Sequence, residues 1–62
     1  MYKVTVFYES KHFRRFDEVE TYEVHDLDRA YEIFDSEEHA TLTHYAYVNG
    51  EYTETELDRK GI

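Results

Sequence analysis

The chain predicts an α+β fold: a two-layer β-β-α-β-β domain in which a four-stranded, mainly antiparallel sheet carries one helix packed on one face. Three observations lead to it. Tyr2-Lys3-Val4-Thr5-Val6-Phe7-Tyr8 alternates with the period of a strand. Leu27, Ala30, Tyr31 and Phe34 fall at i, i+3, i+4 and i+7, one stripe of an amphipathic helix, with Ile33 beside it. Asn49-Gly50 lies between two alternating runs, and both central residues of a type I′ turn need the positive φ that Asn and Gly tolerate.

The first strand runs from Tyr2 to Tyr8, with Tyr2, Val4, Val6 and Tyr8 on one side and Lys3, Thr5 and Phe7 on the other. Glu9 to Phe16 has no clean period and holds the main basic cluster, which predicts a long hairpin loop. Asp17 to His25, with Val19, Thr21, Tyr22 and Val24, is the second strand. Asp26 then caps a helix predicted from 27 to about 36, and Asp28 adds negative charge where the helix dipole favours it. Thr41 to Val48 and Glu51 to Leu57 form the closing hairpin, so residues 1–57 make a single domain and 58–62 a flexible tail.

The two-residue turn registers this hairpin. It pairs Val48 with Glu51, Tyr47 with Tyr52 and, further down, Leu42 with Leu57. Leu42, His44, Ala46, Val48, Thr53, Thr55 and Leu57 share one face, the floor for the helix. Thr41, Thr43, Tyr45, Tyr47, Tyr52, Glu54 and Glu56 share the other.

Two strand orders fit. In 2-1-3-4 every pair is antiparallel and the apolar third strand is central. In 2-1-4-3 the first and last strands pair in parallel. The polar last strand, Tyr-Thr-Glu-Thr-Glu, suits an edge and favours 2-1-3-4. The layout, length and Asn-Gly hairpin are similar to the β-grasp domains of the immunoglobulin-binding protein G type, and that resemblance implies 2-1-4-3. No residue motif carries that family's function across.

Composition sets further bounds. Val, Ile, Leu and Phe make up 14 of the 62 residues, just above the range where a net charge of −8 implies disorder. Seven Tyr favour order, since each buries a ring while its hydroxyl stays wet. The absence of Cys excludes a disulfide scaffold and a thiolate metal site. No apolar run is long enough to cross a bilayer or serve as a signal peptide, so a cytoplasmic protein of a bacterial or phage-infected cell is expected, with no membrane contact.

Nothing in the chain points to an enzyme or a cofactor. His12, His25, His39 and His44 show neither HxH nor HExxH spacing. Ser10 and Ser36 lack a nucleophile elbow, and Gly50 and Gly61, the only glycines, form no phosphate loop.

The functional signal is in the charge distribution. Residues 1–16 sum to +3, residues 17–38 to −9 and residues 39–62 to −2. The acidic middle is either a solvated surface that keeps a small protein soluble and monomeric, or a functional one: Glu18, Glu20, Glu23, Asp28, Glu32 and Asp35 could form a carboxylate array on strand and helix that imitates nucleic-acid phosphates and occupies a basic groove on a partner protein. Small acidic phage and mobile-element proteins, including CRISPR and restriction inhibitors, resemble the chain in size, acidity and Tyr content. Tyr45, Tyr47 and Tyr52 are a second candidate: a partner-binding or homodimer surface, or cross-strand pairs that hold the hairpin together. Lys11-His12-Phe13-Arg14-Arg15-Phe16 alternates cations and aromatics as single-strand binders do, but the net charge repels phosphate and argues against direct nucleic-acid binding.

Overall fold

A computed structural model describes residues 1–10 and 15–62. The elements are β1 (Tyr2–Ser10), β2 (Arg15–Val24), α1 (Leu27–Asp35), β3 (Ala40–Val48) and β4 (Glu51–Lys60). All strand pairs are antiparallel, in the order β2-β1-β3-β4. β1 therefore pairs with β3 rather than β4, and the parallel 2-1-4-3 alternative does not occur. The choice follows from side chains: Ala40 and Leu42 offer Val6 and Val4 apolar partners across the ladder, which the polar β4 cannot.

Register sorts the sheet into two faces. On the helix side the rows run Tyr22–Val4–Leu42–Asp58 and Glu20–Val6–Ala40–Lys60. On the open side they run Thr21–Thr5–Thr41–Arg59 and Glu23–Lys3–Thr43–Glu56. Helix residues Ala30 and Phe34 close over Val4, Val6, Ala40 and Leu42, and these six are the buried apolar core. Fully burying a side chain such as Val4 or Leu42 contributes roughly 1.5–3 kcal/mol, so a core this small gives modest stability. Tyr2, Tyr22, Val24, Tyr31 and Ile33 pack around it, half-buried.

The helix begins where Asp26 Oδ1 accepts the Asp28 N–H at 3.0 Å. It ends at Ser36, whose hydroxyl and N–H both donate to the Ile33 carbonyl. Leu27, expected in the buried stripe, is 38% exposed. It is the first helical residue and overhangs the core instead of entering it.

Both edge strands carry a bulge. Val6 pairs with Glu20 and Phe7 with Glu18, leaving Val19 without a partner in β2. Leu42 pairs with Asp58 and Thr43 with Glu56, so Leu57 is the extra residue in β4. Leu57 therefore does not oppose Leu42 or line the helix floor; it is 42% exposed. A bulge bends its strand and blunts an edge that would otherwise pair with other chains.

Three boundaries differ from the sequence reading. β4 continues to Lys60, pairing Asp58, Arg59 and Lys60 with Leu42, Thr41 and Ala40, where a tail from residue 58 was expected. Glu9 and Ser10 pair with Phe16 and Arg15, so the ladder reaches into the expected loop. β3 starts one residue early, at Ala40. In each case backbone pairing to a neighbour extends the strand past its own apolar pattern.

The protein measures 43 × 23 × 15 Å, whereas nine helical residues span only about 13.5 Å. The helix packs against β1, β2 and β3, and the turn end of the β3–β4 hairpin projects beyond it.

Candidate functional site

The Asn49-Gly50 turn, with φ of 52° and 82°, folds the hairpin in the register read from the sequence from Val48–Glu51 to Thr43–Glu56. That register carries Tyr45, Tyr47 and Tyr52 to the open face. Tyr47 and Tyr52 stand opposite each other, rings 4.9 Å apart and 63° between planes. They are 66% and 76% exposed, so their cross-strand contact leaves most of each ring in solvent. Tyr45 is half-buried, because Lys3 of the neighbouring strand lies across it with Nζ 5.0 Å from the ring centroid. The hydrogen bond to Tyr45 holds the Lys3 ammonium above its ordinary pKa, with further help from Glu54 and Glu18.

Glu23, on β2 beside Lys3, joins this group. With Met1, Tyr45, Tyr47 and Tyr52 it lines a groove of about 490 Å³. The Met1 backbone closes one end: its amino group donates to the Tyr45 carbonyl at 3.2 Å, and its own carbonyl accepts the Tyr45 N–H at 2.8 Å. Glu18 lies on the same open face, where it accepts the Thr21 hydroxyl at 3.0 Å.

The remaining acidic candidates lie elsewhere. Asp28, Glu32 and Asp35 are exposed on α1, and Arg29 pairs with Glu32 at 3.3 Å. Glu20 is on the helix side, opposite Val6, and accepts the Tyr22 hydroxyl, which raises the Tyr22 pKa. The strand and helix carboxylates expected as one array are thus divided by the thickness of the sheet: Glu18 and Glu23 on one side, Glu20, Asp28, Glu32 and Asp35 on the other. Two-residue alternation along β2, interrupted at Val19, causes the split.

Among the ten carboxylates between residues 17 and 38, only Asp17 and Glu32 are ion-paired to an arginine among the described residues, with Arg15 and Arg29. Arg59 pairs with Glu56, whose carboxylate raises the arginine's pKa. Among the described residues, the other eight of these carboxylates have no arginine partner.

Lys3 and Met1 were not singled out by sequence reasoning. Alternation placed Lys3 on the right face, but its contact with Tyr45 depends on β1 pairing with β3, which the sequence left open. Of the basic segment, Lys11 to Arg14 lie outside the described residues; Arg15 and Phe16 begin β2. A second hollow, of about 530 Å³, lies where the helix exit meets β1 and holds none of the expected site residues. In its lining, His39 meets the Phe16 ring at a tilt of 59° with centroids 5.0 Å apart and reaches Glu9 at 3.9 Å. His44 is half-buried with its ring against Tyr2, also at 5.0 Å. No group of three potential metal ligands occurs among the described residues, and no helix is long and apolar enough to cross a membrane. No protein-family model matches the chain, and no curated protein and no solved structure shows significant similarity to it.

Proposed function

We propose that the protein is a non-catalytic binding module that presents acidic and tyrosine-rich surfaces to a protein partner with a basic surface. The partner class we favour is a nucleic-acid-binding protein whose phosphate-binding groove the module occupies, the mode of action of a phage-type CRISPR or restriction inhibitor. One observation carries the reading: between residues 17 and 38, ten carboxylates face a single base, and among the described residues only two of the ten are held in ion pairs with arginine. Uncompensated carboxylates steer a cationic partner and satisfy Arg and Lys evolved for phosphate.

The test immobilises the protein, captures host proteins at low salt and releases them with high salt. Each released protein is then assayed for loss of bound DNA or RNA when the module is added. Reversing charge at Glu32 and Asp35 together is expected to weaken binding about tenfold or more. Equal affinity at low and high salt overturns the reading.

A homodimer through the tyrosine face is the second reading, favoured by the exposure of Tyr47 and Tyr52 on an uncovered sheet face. Sedimentation at several concentrations separates the two. A strict monomer excludes the dimer, and a dimer whose mass survives Tyr52→Ala excludes this interface.

A further inference from the structure

We propose that the groove lined by Met1, Glu23, Tyr45, Tyr47 and Tyr52 receives an arginine side chain from a basic segment of the partner protein, a proposal that rests on the acidic-module reading above. Three observations converge on a cation. The walls are phenol rings, whose faces are negative and attract cations. The charged groups of the lining are one carboxylate, Glu23, which no ion pair or hydrogen bond engages among the described residues, and the Met1 ammonium, which is already taken up by the Tyr45 carbonyl at 3.2 Å. The same face already binds a cation in this way, since Lys3 Nζ sits 5.0 Å from the centre of the Tyr45 ring. Tyr47 and Tyr52 offer further ring surface of the same kind, with no cation over them among the described residues.

The geometry favours arginine over lysine. A guanidinium is planar and weakly hydrated, stacks on an aromatic ring and can pair with a carboxylate through two parallel N–H donors. An ammonium would lose more hydration and meet Glu23 only as a point charge. The groove is open at the surface and β2 is an edge strand, so a side chain can enter from a partner without displacing any element.

The experiment titrates the whole protein against a short fluorescent peptide alternating Arg and Gly, and against its Lys counterpart, by anisotropy at about 50 and 150 mM NaCl. Four variants are compared: Glu23→Gln, Tyr52→Ala, Tyr52→Leu and Asp58→Asn, with amide spectra confirming that each is folded. Tyr52→Leu keeps apolar surface and removes the ring, so it separates ring loss from a loosened hairpin. Asp58→Asn removes the same charge as Glu23→Gln from the helix side of the sheet, at a residue outside the proposed binding surface.

The expected result is tighter binding of the Arg peptide, a loss of about five- to tenfold for Glu23→Gln and for both Tyr52 variants, and less than about twofold for Asp58→Asn. Equal losses for Glu23→Gln and Asp58→Asn would mean that affinity follows net charge alone; the groove proposal then falls while the acidic-module reading stands. Failure of both peptides to bind even at the lower salt overturns both.

Discussion

The rings of Tyr47 and Tyr52 meet edge to face across the last rungs of the β3–β4 ladder, 4.9 Å apart, at a point the helix does not reach. Among the described residues, this contact and the backbone ladder hold the projecting end of the hairpin on its open face. A double-mutant cycle with Tyr47→Ala and Tyr52→Ala, read by urea unfolding, is expected to give a coupling of about 0.5–1 kcal/mol. A coupling near zero would show that the rings are held for a partner and add nothing to the fold.

The core is so small that one truncation should empty it. Phe34 is buried on the helix, with Tyr31 edge-on at 6.0 Å and Lys60 Nζ 5.0 Å from its ring centre. Phe34→Ala costs about 3–5 kcal/mol, which is comparable to the whole stability of a domain this size. Far-ultraviolet circular dichroism at 25 °C should show Phe34→Ala largely unfolded and Phe34→Leu still folded. A cooperative native melt for Phe34→Ala would mean that the core lies elsewhere.

Asp26 supplies a side-chain acceptor to the first turn of α1, at 3.0 Å from the Asp28 nitrogen. Its replacement by Ala leaves that N–H to water and costs about 1 kcal/mol. In a chain of this length that lowers Tm by about 4–8 °C. Asp26→Asn retains the acceptor and should recover most of the loss, whereas equal losses for both would point to charge rather than capping.

Stability should fall at alkaline pH. The hydrogen bond to Tyr45 raises the Lys3 pKa, and the bond to Glu20 raises that of the Tyr22 phenol. In both cases the native state holds the proton more tightly than the unfolded chain does. The stabilisation is complete below the ordinary values, near about pH 10, and disappears as pH climbs through the raised native ones. Tyr22→Phe should lower Tm at neutral pH, where the hydrogen bond to Glu20 is intact, and flatten the decline above about pH 9.5; an unchanged slope would assign the decline to other groups.

Gly61 adopts φ of +75°, and a Cβ there would overlap His39 Nδ1 and the Glu38 carbonyl oxygen. His39 Nδ1 lies 3.0 Å from the Gly61 carbonyl oxygen, an acceptor it reaches only as a donor. Gly61→Ala is therefore expected to release the end of β4, seen as lost amide protection at Arg59 and Lys60 with the Val4 and Leu42 amides unaffected. Unchanged protection at Lys60 would show that the ladder to Ala40 suffices alone.

The kind and order of the elements, the Asp26 cap, the Asn49-Gly50 turn and the pairing from Val48–Glu51 to Thr43–Glu56 are all written in the order of residues along the chain. Each is a local matter, set by side-chain periodicity or by the φ a residue tolerates within a few positions. The same local rule placed the three tyrosines on the face away from the helix. Long-range packing, by contrast, sets β1 beside β3, drops Val19 and Leu57 out of register, and continues a strand through Asp58 to Lys60. Those outcomes depend on contacts between residues distant in the chain, where Val4 competes for Leu42 or for a polar β4 and where edge strands bend to meet their partners. The site follows the same division: the carboxylates are plain in the sequence, but sheet thickness separates Glu23 from Asp35, and strand order alone sets Glu23 and Lys3 beside the tyrosine rings.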